Sequence, residues 1–169
     1  CEILGYASDI TRTFPVNGKF SNPQKEIYEI VLNAQIQAIA SIMPGEDVSK
    51  PHEIACEIIT RGLMKLGIMD DISNLKEFYM HGTGHWLGLD VHDVGVKEID
   101  NSFRKFEVGM VMTVEPGIYT RKDDKIDPKY WNIGIRIEDD VLVTIDGNHV
   151  LSEVAIKNVD DIEHLMSQR

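Results

Sequence analysis

The sequence has few cysteines and no long apolar segment. Its 169 residues include only Cys1 and Cys56, too few for a disulfide framework or a thiolate zinc site. A low cysteine content favours a reducing compartment, so we expect a cytoplasmic location. No apolar run approaches the ~20 residues that a membrane-spanning helix needs, so we expect no membrane partner.

Basic residues are also scarce. The 17 lysines and arginines are outnumbered by 28 aspartates and glutamates, which gives a formal net charge of −11. Binding to nucleic acid by counterion release, and docking on anionic lipid, both require the opposite sign. The composition is 43% hydrophobic and 27% charged, which is typical of a soluble globular domain. We therefore expect residues 1–169 to form a single domain, or part of one, without a nucleic-acid partner.

The first residues of the sequence are typical of the interior of a secondary-structure element. Ile3 and Leu4 lie close to the first residue, with no turn or capping residue in front of them. We expect a piece of a longer protein that starts inside a strand. An unpaired strand edge beside Ile3 and Leu4 would favour pairing with a second chain, which predicts a homo-oligomer.

Helical signals dominate the first half of the chain. Residues 21–43 carry apolar side chains at three-to-four spacing, with Pro23 at the start and Pro44-Gly45 at the end. Similar signals predict helices over residues 49–66 and 74–79, and from residue 160 onward.

Strand signals dominate the second half. Residues 110–118 are rich in β-branched side chains, and residues 133–144 alternate between an isoleucine face and a polar face. Asp146-Gly147 predicts a hairpin turn. Because helices and hairpins are segregated rather than alternating, the fold class is α+β.

Residues 81–95 contain three of the six histidines and four glycines. The glycines argue against a helix, so His81 and His85 are not a ligand pair on one helical face. Glycines at this density suit a backbone that closely approaches another group, with imidazoles directed into a cavity. A glycine-rich loop whose histidines make only local hydrogen bonds is the alternative.

Three carboxylates lie on segments that read as strands. Glu115 shares a face with Thr113, Glu138 shares a polar face with Arg136, and Asp9 precedes an alternating pair of threonines. Each alone would be a solvated edge residue, because an unpaired buried carboxylate is costly. Several carboxylates with one imidazole would suit Mn²⁺, Co²⁺ or Zn²⁺.

Four segments, in order along the chain, carry a family resemblance. Residues 8–14, 81–95, 113–119 and 134–140 resemble the catalytic domain of the aminopeptidase P family. This is the group of pita-bread metallopeptidases that also contains prolidase and methionine aminopeptidase. The resemblance implies a pita-bread (creatinase/aminopeptidase-like) fold, truncated at its N-terminus. In this fold a mainly antiparallel curved sheet carries helices on its outer face.

The same resemblance implies two divalent metal ions, usually Mn²⁺, bound by two aspartates, one histidine and two glutamates. Asp9, His85, Glu115 and Glu138 resemble four of these metal ligands, and we expect their side chains to converge on one small volume. The family's first aspartate ligand would lie upstream of Cys1.

Further residues resemble the family's catalytic groups. His92 resembles the histidine that contacts substrate and stabilises the tetrahedral intermediate, and Glu115 resembles a proton shuttle. His81 resembles a substrate-pocket histidine, and Arg136 an arginine beside the bridging carboxylate. We expect His81, His92 and Arg136 around the rim of the metal site.

The activity that the resemblance implies is hydrolysis of the N-terminal Xaa-Pro bond of a peptide by a metal-bridged hydroxide. Its substrates would be peptides with proline at the second position. Prolidase, which takes dipeptides, is the nearer alternative, and a pita-bread module that binds proteins without catalysis is the second. Because one ligand is absent, we expect residues 1–169 alone to be inactive.

Three residues outside these motifs receive a structural interpretation. Cys56 is interpreted as a small core residue on a helix, since no histidine motif pairs with it. His52 and His149 are predicted to be exposed to solvent.

Overall fold

Helices and antiparallel strands make up the fold. A computed structural model describes residues 1–168 of the chain. The helices are α1 (Asn22–Ala40), α2 (Lys50–Lys65), α3 (Leu75–Phe78) and α4 (Val159–Ser167). The strands are β1 (Glu2–Ile3), β2 (Tyr6–Ala7), β3 (Glu98–Ile99), β4 (Ser102–Phe103), β5 (Val111–Val114), β6 (Gly117–Tyr119), β7 (Gly134–Arg136), β8 (Asp139–Thr144) and β9 (Gly147–Val150).

The two long helices confirm their predicted positions and pack against each other. A capping box fixes the start of α1, where the Ser21 side chain accepts from the Gln24 amide and the Gln24 side chain accepts from the Ser21 amide. Gly62 on α2 allows the close approach, since a Cβ there would lie 2.7 Å from Ile30 of α1. Within residues 1–168, no helix combines the length and apolar character needed to cross a bilayer.

The strands pair antiparallel throughout the described residues, in agreement with the α+β prediction. β8 lies between β5 and β9, with Thr113 opposite Asp140, whereas β6 pairs with β7 and places Gly117 opposite Arg136. A hairpin turn joins β8 to β9, but one residue earlier than predicted: its two residues are Ile145 and Asp146, and Gly147 pairs with Thr144 as the first residue of β9.

The two long strands predicted from the sequence were wrong in their continuity. The predicted strand 110–118 is broken between β5 and β6 at Glu115 and Pro116, because proline has no N–H to donate. The predicted strand 133–144 is broken at Ile137 and Glu138. There the Glu138 amide donates to the carbonyl of Thr11 instead of to a ladder partner.

The N-terminal residues form a short antiparallel hairpin, β1–β2. Leu4 and Gly5 occupy the turn with φ of 52° and 86°, and Leu4 is 94% exposed. Residues 9–14 contain no strand either, although hydrogen bonds fix this segment beside β7 and β8. A second short hairpin, β3–β4, was not predicted; its turn at Asp100-Asn101 has positive φ at both residues.

A buried carboxylate at the start of β8 ties distant segments together. Asp139 is fully buried and accepts hydrogen bonds from Arg12 and Lys157, each at 2.6 Å. Gln35 of α1 and the Ser152 hydroxyl also donate to it. Burial opposes ionisation of Asp139, but the bonds from Lys157, Ser152, Arg12 and Gln35 outweigh it and hold the pKa of this carboxyl below its usual range.

We expect Asp139→Asn to lower the free energy of unfolding by about 3 kcal/mol, because it leaves two cations without their buried counter-charge. Since the folded pKa is depressed, the contribution of Asp139 is fully present above its ordinary pKa of 3.8 and is lost as the pH falls further. Urea unfolding across this acid range measures both effects. Asp124→Asn, at an exposed loop position, is the control. Equal stability of the two variants would contradict the prediction.

Candidate metal centre

The histidine-rich segment lies alongside β5 as an additional antiparallel edge. The Thr113 amide donates to the His85 carbonyl at 2.9 Å, and the Glu115 amide donates to the Thr83 carbonyl at 2.6 Å. The His85 amide in turn donates to the Thr113 hydroxyl at 3.1 Å. These bonds fix the backbones of His85 and Glu115 next to each other.

Two glycines of this segment have close neighbours where a side chain would begin. A Cβ on Gly84 would lie 1.9 Å from the Thr113 carbonyl oxygen, and one on Gly88 would lie 1.9 Å from a carboxylate oxygen of Asp93. A side chain at Gly84 would collide with backbone, whereas one at Gly88 would require the Asp93 side chain to move. The expectation that these glycines serve close backbone approach is therefore confirmed for Gly84.

The four predicted metal ligands come together around His85. Its Nε2 lies 3.5 Å from Asp9 Oδ2 and 3.6 Å from Glu115 Oε1. Potential ligand atoms of His85, Glu115 and Glu138 all lie within 4.8 Å of one another, and so do those of Asp9, His85 and His92. His92 was expected on the rim, but its imidazole faces that of His85 at a centroid distance of 4.2 Å and belongs to this cluster.

The tautomer of His85 follows from its hydrogen bond to the backbone. Its Nδ1 lies 3.0 Å from the Trp86 carbonyl oxygen, which can only accept. Nδ1 therefore carries a proton, and Nε2 is the nitrogen that faces the carboxylates of Asp9 and Glu115. This arrangement is typical of a histidine that binds a metal ion.

Glu138 is the most buried carboxylate of the cluster, with 2% exposure. Burial is the main cause that raises the pKa of Glu138 from 4.5 to about 7, and the negative charges of Glu115 and Asp9 add to it. The Thr11 hydroxyl donates to its Oε2 and acts in the opposite direction. A bound cation would relieve this repulsion, so the residues present fit a divalent metal ion.

Two of the three predicted rim residues, His81 and Arg136, meet at a tyrosine. His81 Nε2 lies 2.9 Å from the Tyr119 hydroxyl, and Arg136 Nε donates to the same oxygen at 2.9 Å. A guanidinium nitrogen of Arg136 also lies 3.6 Å from Glu115 Oε2. Tyr119 was not predicted as a site residue, although it ends the motif 113–119. The available signal was its position at the end of this motif, two residues after Gly117 and so on the same face of a strand.

Cys56 does have a histidine partner, so this part of its interpretation was wrong. Its Sγ lies 3.5 Å from His52 Nε2, four residues earlier on α2. Burial raises the pKa of the Cys56 thiol, which disfavours a reactive thiolate. His52 and His149 are exposed, as predicted.

Comparison with protein families matches residues 1–145 to metallopeptidase family M24. The Xaa-Pro aminopeptidase of Haemophilus influenzae is 51% identical over 99% of this chain, which covers 40% of that protein. The aminopeptidase PepP structure from Pseudomonas aeruginosa is 50% identical with a TM-score of 0.95, over 99% of this chain and 40% of that one.

A third relative is a zinc-substituted enzyme. The Zn-substituted aminopeptidase P of Escherichia coli in complex with product is 47% identical with a TM-score of 0.90. The match covers 97% of this chain and 39% of that structure. The chain thus spans about two fifths of the length of the relatives it matches. The resemblance inferred from four motifs is confirmed, and the chain belongs to metallopeptidase family M24, whose pita-bread fold it adopts in part.

Proposed function

We propose that this chain forms the metal-binding part of an Xaa-Pro aminopeptidase, a hydrolase that removes the first residue of a peptide whose second residue is proline. The single observation that carries the proposal is the convergence of Asp9, Glu115 and Glu138 on the Nε2 of His85. Relatives named Xaa-Pro aminopeptidase, at up to 51% identity, support it.

We propose two divalent ions, Mn²⁺ by preference, as the cofactor. Three carboxylates and one imidazole form a donor set that suits Mn²⁺, Co²⁺ and Zn²⁺. Asp9, His85, Glu115 and Glu138 would hold the ions, together with the fifth ligand that the family resemblance implies. When bound, such ions supply a hydroxide near neutral pH and polarise the carbonyl of the scissile bond.

The protein's own groups have distinct tasks in this reaction. Glu115 accepts the proton released by the attacking water and delivers it to the leaving proline nitrogen. Arg136 lies beside Glu115 and balances its charge. His92 donates a hydrogen bond to the carbonyl oxygen as negative charge develops there. His81, held by Tyr119, orients the substrate from the rim.

Proline specificity has a chemical reason. An Xaa-Pro bond lacks the amide N–H, so proteases that bind this group cannot use it. A site that acts on the bond must select the pyrrolidine ring by shape.

Two alternatives have different consequences. A prolidase would share the donor cluster but accept only dipeptides, and the motif at residues 79–93 resembles aminopeptidase P more closely. A non-catalytic binding module has no need for the ligands, and the retention of all four favours an enzyme. A cytoplasmic location, a homo-oligomeric assembly and inactivity of residues 1–169 alone stay predictions.

We expect the intact protein to hydrolyse Xaa-Pro-Xaa tripeptides faster than Xaa-Pro dipeptides, to lose activity with a chelator and to regain it with Mn²⁺. Chromatography measures the release of the first amino acid, and the metal content of the protein is measured in parallel. Preference for dipeptides would indicate a prolidase. Metal binding without hydrolysis of either substrate would contradict an enzymatic function.

We expect His92→Ala to lower kcat by roughly 10²-fold, the size typical of losing one oxyanion donor. Metal content should stay near that of the unaltered protein, because the imidazole of His85 and the three carboxylates remain. Steady-state kinetics and elemental analysis measure the two quantities. The matched control is His149→Ala, which removes an equally exposed imidazole from β9. Unchanged kcat in His92→Ala would remove this residue from the mechanism.

Metal-free protein should become less stable as the pH rises from about 5 to about 8. The folded pKa of Glu138 is raised to about 7, so folding gains fully from the protonated carboxyl below its ordinary value of 4.5 and loses this gain as the pH passes 7. Urea unfolding of the apoprotein measures the slope, and added Mn²⁺ should reverse it. Glu138→Gln should lack the slope, whereas Glu153→Gln, at an exposed position, should keep it. A slope that is identical in Glu138→Gln would assign it to other groups.

A further inference from the structure

A polar triad outside the metal cluster joins α2 to the histidine-rich segment. The Thr83 hydroxyl lies 2.8 Å from His52 Nδ1 and 2.6 Å from the Tyr79 hydroxyl. Thr83 and Tyr79 are each only 3% exposed, so water is not available as a substitute partner for their hydroxyls. His52 reaches this buried pair from the exposed side of α2.

The backbone of Thr83 connects the triad to the cluster. Its carbonyl accepts the amide hydrogen of Glu115 at 2.6 Å, and His85 follows two residues later. Gly82 and Gly84 flank Thr83 and have no side chains that could anchor this stretch. The Thr83 side chain is therefore the anchor that fixes where its carbonyl points.

The protonation states determine the direction of the two hydrogen bonds in the triad. Burial raises the pKa of Tyr79, so its hydroxyl keeps its proton and can donate. Burial lowers the pKa of His52, and the nearby charge of Lys97 adds to this, so the imidazole is neutral and its Nδ1 can accept. Tyr79 then donates to Thr83, and Thr83 donates to His52. His52 Nε2 is left to face Cys56 Sγ.

We infer that Thr83 is a positioning residue of the metal centre, held by His52 and Tyr79, and that it maintains metal affinity by fixing Glu115 relative to His85. This inference rests on the metal site of the proposed function. Without its two hydroxyl contacts, Thr83 is free to rotate between its flanking glycines. Its carbonyl then loses alignment with the Glu115 amide, and the carboxylate loses its fixed place.

The test is the affinity of the intact protein for Mn²⁺ and for Zn²⁺, measured by competition with a chelating dye. Thr83→Val keeps the branched shape and removes the hydroxyl, and Tyr79→Phe removes the other one. Each should weaken metal binding by about tenfold, the size typical of losing a group that supports a ligand. Thr83→Ser should restore affinity, because it retains the hydroxyl. Thr144→Val, at the far end of β8, is the matched control and should bind as the unaltered protein does.

A double variant tests whether the three residues act as a unit. Thr83→Val with Tyr79→Phe should weaken binding no more than either change alone, since both break the same chain of hydrogen bonds. If the losses of metal affinity in the two single variants multiply in the double variant, the three residues do not act as a unit and the inference is wrong.

Other outcomes separate the inference from the function on which it rests. Unchanged affinity in Thr83→Val, or equal losses in Thr83→Val and Thr83→Ser, would overturn the role of the hydroxyl while leaving the metal site in place. Failure of the unaltered protein to bind either metal would overturn the proposed function and this inference together.

Discussion

The buried charge of Asp139 is the constraint on which the rest of the structure depends. A carboxylate with no exposure must have cationic or donor partners, and here they come from three segments far apart in the sequence. Arg12 satisfies Asp139 and also donates to the carbonyl of Glu138, which fixes the segment that carries Asp9 against the start of β8. The desolvation requirement of one aspartate thus brings two candidate metal ligands together.

The negative charges of the metal cluster, in contrast, are not compensated in this way. Asp139 has two cations as partners, whereas Glu138, its neighbour in the sequence, faces Glu115 and Asp9 and takes only one hydroxyl bond. Two adjacent residues, Asp139 at the start of β8 and Glu138 just before it, therefore occupy opposite electrostatic environments. Asp139 holds the fold together, whereas Glu138 lies among negative charges whose repulsion a bound cation would relieve.

Sequence patterns predicted the long helices, and the family motifs predicted four metal ligands whose side chains lie together in the structure, but neither predicted the contacts between them. The capping box and flanking prolines define α1 locally, so periodicity sufficed there. The strand over residues 133–144 was predicted too long because alternation does not reveal where a competing acceptor, here the Thr11 carbonyl, takes the Glu138 amide out of the ladder. The extra edge formed by residues 83–87 has no alternation to detect. The contacts of His81 with Tyr119, and of His52 with Thr83, join residues 38 and 31 positions apart, which no local pattern encodes.

The contact between Gly84 and the Thr113 carbonyl limits the distance between the segments that carry His85 and Glu115. Only the α-carbon of Gly84 separates the two backbones at this point. Atomic radii at a residue with no ligand atom therefore set how closely the segments that carry His85 and Glu115 can approach. A single methyl group added at Gly84 would push the two backbones apart even if no candidate ligand were changed. The spacing of two candidate ligands thus depends on a residue that has no side chain.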